Sequence, residues 1–246
     1  MKWNWDNIKL ILSILVVFFL FAFANQRNGE RQLITDESIT FLNDENLFIN
    51  HHVVNKLLIQ KDKHVRNLKK DALALNELEN DLNENPMIQK AQVYLAVNGE
   101  LGVNIEQKKP IARVLANGSF YIDDRGKKMP LSDNFSARVI LVTGNVTEKY
   151  FSEIRDLATY MQQDEFLNMH FDAIHVRSDG ELELSTRTQQ YKVLLGTAEN
   201  IEKKFRNYKA FYQKAKKDKS LIRFNLVNLE FNNQVVCTKK QQDGRQ

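Results

Sequence analysis

Ala91-Gln92-Val93-Tyr94-Leu95-Ala96-Val97-Asn98-Gly99-Glu100-Leu101-Gly102-Val103-Asn104-Ile105 reads as a hairpin. Ala91, Val93, Leu95 and Val97 alternate with Gln92, Tyr94 and Ala96, and Leu101, Val103 and Ile105 resume the alternation on the return. A period of two sends one set of side chains to one face of a sheet. Asn98-Gly99 lies between the two runs, and both residues accept the positive φ that a tight hairpin turn requires.

The residues before this hairpin supply its cover. Asn85-Pro86 ends a helix, because the residue before proline avoids the helical region. Leu75, Leu78 and Leu82 keep the i, i+3, i+7 spacing of one helix face, so 72–83 reads as amphipathic helix. Asn50 is a good N-cap for an earlier helix whose face is Val54, Leu57 and Leu58. Residues 61–71 (KDKHVRNLKKD) are too charged for a core and read as a loop or a helix approach. Ser38 to Phe41 alternates as a strand. The order from Thr35 to Gln107 is strand, helix, helix, strand, strand, which fits a two-layer α+β domain with both helices on one face of three strands.

Ahead of that domain runs Ile8 to Ala24 (IKLILSILVVFFLFAFA), with one charge, Lys9, at its edge. As a helix it spans about 25 Å, and about 30 Å with Trp5 to Asn7 added, the thickness of a bilayer core. Trp3 and Trp5 precede it, where indole rings favour the headgroup layer. The reading is a single transmembrane anchor with Trp3, Trp5, Ile8, Phe18, Phe19 and Ala24 as its membrane-contacting residues and the lipid bilayer as a partner. A cleaved signal peptide, with Ala22-Phe23-Ala24 as its site, and a buried core helix are the competing readings; the length of the apolar run and its sparse basic lead favour the anchor. Lys2, Lys9, Arg27 and Arg31 flank the span too evenly to orient it.

The second half carries more strands. Val114 to Asp123 is a hairpin around Asn117-Gly118; Asp123 to Gly126 is a turn, and Met129 to Leu131 a short return. Arg138 to Val142 is an apolar run suited to a buried strand ending at Gly144. A helix follows, with Thr147 as N-cap and Phe151, Ile154, Leu157 and Met161 as its face. Ile174–Val176, Leu182–Leu184 and Tyr191–Leu195 are strands. Thr197 caps a further helix with Ile201, Phe205, Tyr208 and Phe211 inward and Lys214 to Lys219 at its end, where the helix dipole favours cations. Leu226–Phe231 and Gln234–Thr238, joined at Asn232-Asn233, are the last strands.

The chain of 246 residues has a net charge of +4, one cysteine, three prolines and nine glycines. The charge is too diffuse to mark a nucleic-acid surface, and a single cysteine forms no internal disulfide. No GxSxG, HExxH, phosphate loop or CxxC is present. His51-His52 and His170/His175 with Asp172 are weak metal candidates, since a zinc site needs three or four convergent ligands. Asp123-Asp124 reads as a solvated turn, Cys237 as a small packed residue, and the lysine cluster as a solvated helix end. The expectation is no enzyme, no cofactor, no metal and no small-molecule substrate. The feature that points to function is the terminal ribbon Leu229 to Val236. A terminal strand at a sheet edge can accept a strand from another chain; pairing wholly within its own sheet is the equal alternative.

Several stretches together resemble the FtsQ/DivIB family of bitopic bacterial cell-division proteins. They are the helix before Asn85-Pro86-Met87-Ile88, the strand Leu101 to Glu106 with Lys109-Pro110-Ile111-Ala112-Arg113, Phe120-Tyr121-Ile122-Asp123-Asp124-Arg125-Gly126, Val193-Leu194-Leu195-Gly196 and Leu226 to Phe231. Val97-Asn98-Gly99 replaces the family's Pro-Asn turn, and Asn228 and Glu230 stand where many members have Asp and Arg. The resemblance implies a cytoplasmic tail (1–7), a transmembrane helix (8–24), a tether (25–35), a POTRA domain (36–110), a larger β domain with flanking helices (111–238) and a disordered tail (239–246). It implies a fold that is α+β behind one membrane helix, a single-pass place in the cell inner membrane at the division septum, an N-terminus in the cytoplasm and the bulk in the periplasm. It further implies a non-catalytic scaffold of divisome assembly that binds FtsB- and FtsL-like proteins through Leu229, Phe231, Val235 and Val236. A POTRA-containing secretion or outer-membrane assembly factor, and a wall hydrolase, are the alternatives.

Overall fold

The alternation at 91–105 forms the antiparallel pair β2 (Ile88–Leu95) and β3 (Leu101–Gln107), with Ala91 opposite Ile105 and Val93 opposite Val103. The computed structural model describes residues 5–29, 38–42, 48–60, 72–96, 100–116, 118–231 and 234–240. Trp3, the tether beyond Gly29, the charged stretch 61–71, the turn at Asn98-Gly99, Asn117, the Asn232-Asn233 joint and the tail past Lys240 lie outside the described residues. The chain divides into two units, Met1–Gln107 and Lys108–Gln246.

In the first unit β1 (Ile39–Phe41) runs parallel to β3, so the sheet order is β1-β3-β2. Helix α2 (His51–Gln60) starts where Asn50 accepts the Val53 N–H through Oδ1 at 2.9 Å, a side-chain cap. Helix α3 (Ala72–Asn83) ends just before Asn85-Pro86. Val54, Leu58, Leu78 and Leu82 from the helices close over Ile39, Ala91, Val93, Val103 and Ile105 from the sheet in one apolar cluster. Gly102 is required by a close approach: the Tyr94 ring lies across it, and a Cβ there would sit 2.4 Å from that ring. The amide of Gln107 ties the chain before α2 to the sheet, its buried Oε1 accepting from Phe48 N–H at 2.8 Å and Ile49 N–H at 3.1 Å.

The N-terminal run forms helix α1 (Trp5–Gly29), with Trp5, Phe18 and Phe19 exposed and Ile8 and Ala24 within the helix. The expected single-pass membrane anchor, and the inner-membrane placement built on it, need correction here. Among the described residues no helix is long and apolar enough to cross a membrane. The run from Leu10 to Ala24, between Lys9 and the polar Asn25, is 15 residues, about 22 Å of helix against a hydrocarbon core of roughly 30 Å. The fold is a mixed α/β arrangement of a βααββ unit and a larger sheet unit, with no membrane-crossing helix among its described parts.

The second unit begins with the hairpin β4 (Pro110–Ala116) and β5 (Gly118–Asp123), followed by β6 (Lys128–Met129) and β7 (Ile140–Gly144). Helices α4 (Phe151–Gln163) and α5 (Glu165–His170) lead to β8 (Phe171–Val176), β9 (Leu182–Thr186) and β10 (Lys192–Gly196). Helix α6 (Ile201–Lys217) crosses to β11 (Phe224–Asn228), and β12 (Val236–Lys239) returns beside it. Among the described residues the nine strands lie in the order β12-β11-β10-β9-β8-β7-β4-β5-β6. The pairs β4/β7, β7/β8 and β10/β11 are parallel. Phe151, Ile154, Leu157 and Met161 of α4, and Phe205 and Tyr208 of α6, share one core with Val142, Ile174, Leu184, Val193 and Val227 of the sheet.

Four local expectations change. β7 buries Val142 while Leu141 is exposed, so this strand is covered on one face. Thr147 precedes a 3-10 turn, Glu148–Tyr150, and α4 starts at Phe151. The short α5 adds an element between helix α4 and β8; Asp164 caps it by accepting the Leu167 N–H at 3.1 Å, and Lys209 of α6 binds the same carboxylate, holding it below the usual carboxylate range. Asp123 is buried, not solvated: its Oδ1 accepts Arg125 N–H at 3.0 Å and Lys127 N–H at 2.7 Å, and Lys108 stands 3.8 Å from its other oxygen.

His170 is enclosed by Phe166, Phe171, Tyr208 and Tyr212. Its Nε2 shares a 2.6 Å hydrogen bond with the Tyr208 hydroxyl, which meets the Tyr191 hydroxyl at 2.9 Å. Burial lowers the His170 pKa to about 4 from 6.5 and raises that of Tyr191 to about 12.

Two predictions follow from these contacts. Gln107→Ala removes the acceptor of two buried N–H groups and lowers stability by about 3 kcal/mol, measured by urea unfolding. For His170 the folded pKa lies below the unfolded one, so its contribution is complete above pH 6.5 and is lost as the pH falls toward 4. The fall amounts to about 3 kcal/mol. His170→Phe flattens that part of the stability–pH curve; an unchanged slope would place the titration elsewhere.

Candidate functional site: the terminal strand edge

The last strand pair is built from short alternation. In β11 Val227 points into the core, and its neighbours Leu226 and Asn228 lie half-buried on the other face. β11 lies parallel to β10, with Lys192 opposite Leu226 and Val193 opposite Val227. β12 pairs antiparallel with β11, Cys237 opposite Val227 and Val236 opposite Asn228. β12 ends the sheet, and no further strand pairs with its outer side among the described residues. Such an edge presents backbone donors and acceptors to another chain.

Strand β11 stops at Asn228 because Asn228 turns the backbone locally. Its Oδ1 accepts the Glu230 N–H at 2.8 Å, and its Nδ2 donates to Glu230 Oε2 at 2.6 Å. This side-chain bond competes with continued ladder pairing. One more ladder bond, Leu229 N–H to Leu194 C=O at 2.8 Å, seats Leu229 in the core.

Of the four expected contact residues, Leu229 is therefore 2% exposed and packs inside the unit, a correction to its placement on the binding surface. Phe231 and Val236 are exposed, at 46% and 40%. Val235 is half-buried against the core. Phe231 and Val236 thus form the accessible apolar part of this corner, and Lys239 stands exposed at the far end of β12.

Sequence reasoning passed over the support of this corner. Lys204 is buried and donates from Nζ to Leu195 C=O at 2.8 Å and Thr197 C=O at 2.7 Å. Thr197 is thus an acceptor, and α6 starts after Asn200, which takes the left-handed φ of 55°. Burial lowers the Lys204 pKa, against the pull of Glu230, Glu199 and Glu153. Gly196 has φ +71°, and a Cβ there would lie 2.9 Å from Glu230 Cγ, so the end of β10 and the chain after β11 fit closely. Glu181 takes up protons more readily than an ordinary carboxylate, through burial and then the Glu230 charge. The signal for Lys204 was its spacing: it lies three residues after Ile201 and beside Phe205, on the inward face.

The remaining candidates do not converge. His175 Nδ1 meets Thr143 Oγ1 at 3.0 Å, His170 is committed to Tyr208, and His51 packs edge-on to Phe41 at 4.9 Å. Among the described residues no three His, Cys, Asp or Glu are placed to hold a metal ion. Cys237 is half-buried, and burial raises its pKa, away from a reactive thiolate.

Comparison with known proteins agrees with this anatomy. The model of the FtsQ/DivIB, C-terminal related family matches residues 109–238, and the POTRA-like domain model matches residues 42–106. No curated protein matches the chain. The two domain matches imply a role in cell division, in a family whose members are not enzymes. The chain belongs to the FtsQ/DivIB family.

Proposed function

We propose that this chain is a non-catalytic scaffold of the cell-division machinery that holds partner proteins by strand addition at the outer edge of β12. The observation that carries the reading is the position of β12 at the end of the sheet, beside the exposed Phe231 and Val236. Added strands gain affinity from main-chain hydrogen bonds and specificity from side chains at alternate positions. The partners are FtsB- and FtsL-like division proteins, following the family. In this reading residues 36–110 form the POTRA domain and 111–238 the partner-binding domain. Phe231 and Val236 touch the incoming strand, Val235 backs them, and Leu229 holds the corner from inside.

The test is a titration of the full chain with a synthetic strand segment of the same organism's FtsB-like protein. Phe231→Asp and Val236→Asp each weaken binding about tenfold, which corresponds to about 1.4 kcal/mol, and leave the circular dichroism spectrum unchanged. Leu229→Ala instead lowers stability by about 2–5 kcal/mol, the cost of a core cavity. Binding that survives both surface substitutions, and truncation after Asn228, sinks the β12 reading.

A further inference from the structure

The first unit also has a strand at a sheet edge, and it is treated differently. β2 pairs with β3 on one side. On its other side Ala91 N–H donates to Asn83 Oδ1 at 2.7 Å and Val93 N–H donates to Glu79 Oε2 at 3.1 Å. Both acceptors belong to α3. Glu79 and Asn83 are four residues apart, about 6 Å along a helix; Ala91 and Val93 are two apart, about 6.7 Å along a strand. One turn of α3 therefore matches one dyad of β2, with helix and strand running in opposite directions. The ring of Tyr94 is turned toward β3, across Gly102, and leaves the outer side of the strand to these two acceptors.

We propose that α3 holds the edge of β2 shut against strand addition, Glu79 and Asn83 standing where a fourth strand would present its carbonyl oxygens, and that the strand the opened edge accepts is β2 of a second copy of this chain. The register of the outward amides and the side chains beside them fit a second copy. An antiparallel pair with its two-fold axis at Gln92 sets Ala91 of one copy opposite Val93 of the other. These are hydrogen-bonded positions, so the two amides that α3 now caps exchange into the new ladder. Lys90 then faces Tyr94, and Gln92 faces itself. No like charges oppose each other, which is the usual obstacle to self-pairing. The buried row Ala91 and Val93 stays on the helix side of the joined sheet, so neither copy turns its core outward.

Gln92 provides the test, because residues on the axis at a non-hydrogen-bonded position lie with Cα atoms about 4.5 Å apart, within disulfide reach. Gln92→Cys is introduced into the full chain with Cys237→Ser, alone and together with Glu79→Ala/Asn83→Ala, and air-oxidised dimer is measured by non-reducing electrophoresis. The released chain forms at least about tenfold more linked dimer than the capped one, as loss of two backbone hydrogen bonds to α3 predicts. Glu79→Gln/Asn83→Asp keeps both acceptors and stays at the capped level. Equal dimer in the capped and released chains, or none in either, overturns the proposal. Should the released chain lose its fold by circular dichroism, the single changes Glu79→Ala and Glu79→Gln decide. Dimer in the first alone supports the lock, and dimer in both or in neither overturns it.

Discussion

A sheet must end, and its last strand leaves a row of backbone N–H and C=O groups without a strand partner. How β2 and β12, two of the four edge strands, meet that constraint organises this chain. In the first unit Glu79 and Asn83 supply oxygens to the outer amides of β2, and α3 accordingly takes its place along β2. In the second unit β12 closes the sheet with only four residues, of which Thr238 and Lys239 are exposed on opposite faces. A short, partly charged strand is one of the ways a protein limits edge-to-edge association, yet it leaves the main-chain groups accessible to a partner that supplies matching ones.

The corner beside β12 is held from below by charge placed in the core. Lys204 reaches the carbonyls of Leu195 and Thr197, the positions where β10 gives way to the loop before α6. One lies at the end of β10 and the other just past it, and buried carbonyls are costly without a donor. Glu230 draws on the same lysine and sits against Gly196, and Asn228 fixes Glu230. Leu229 is thereby pinned inward while the chain after it turns out to Phe231. The exposed apolar side chain is thus presented by a support tied down at several points, which in the proposed strand addition reduces the ordering cost.

Much of the fold was legible because its signals are local. The dyad at 91–105, the heptad-like leucines of 72–83 and the asparagine cap at 50 need no knowledge of tertiary contacts, and each became the element it suggested. What escaped depended on distant partners. Asp164 caps α5 with help from Lys209, and Asp123 is buried because Lys108 and two turn amides receive it. Leu229 falls with Val227 on the core face by alternation and is buried there; its expected place among the contact residues came from the family resemblance, which carries no information on which face is covered. The apolar run at the N-terminus did form a helix, and its length set against a bilayer decided the other way.

The contrast between the two edges bears on selectivity. With β2 open as well as β12, the chain would offer a partner strand one more of its four edges. Side-chain oxygens are suited to closing an edge because they satisfy the amides without offering a new edge of their own, whereas a fourth strand would only move the problem outward. α3 closes β2 at the two central amides, where an incoming strand would gain most. The same logic explains why the closure sits on a helix already required by the core: Leu78 and Leu82 fix α3 against the sheet, and Glu79 and Asn83, each one residue further on, are carried to the edge by that packing. Loss of the capping oxygens leaves the apolar contacts in place, so the edge opens without unfolding the unit. In the proposed strand addition at β12, closure of β2 removes one competing edge by means of two side chains of α3.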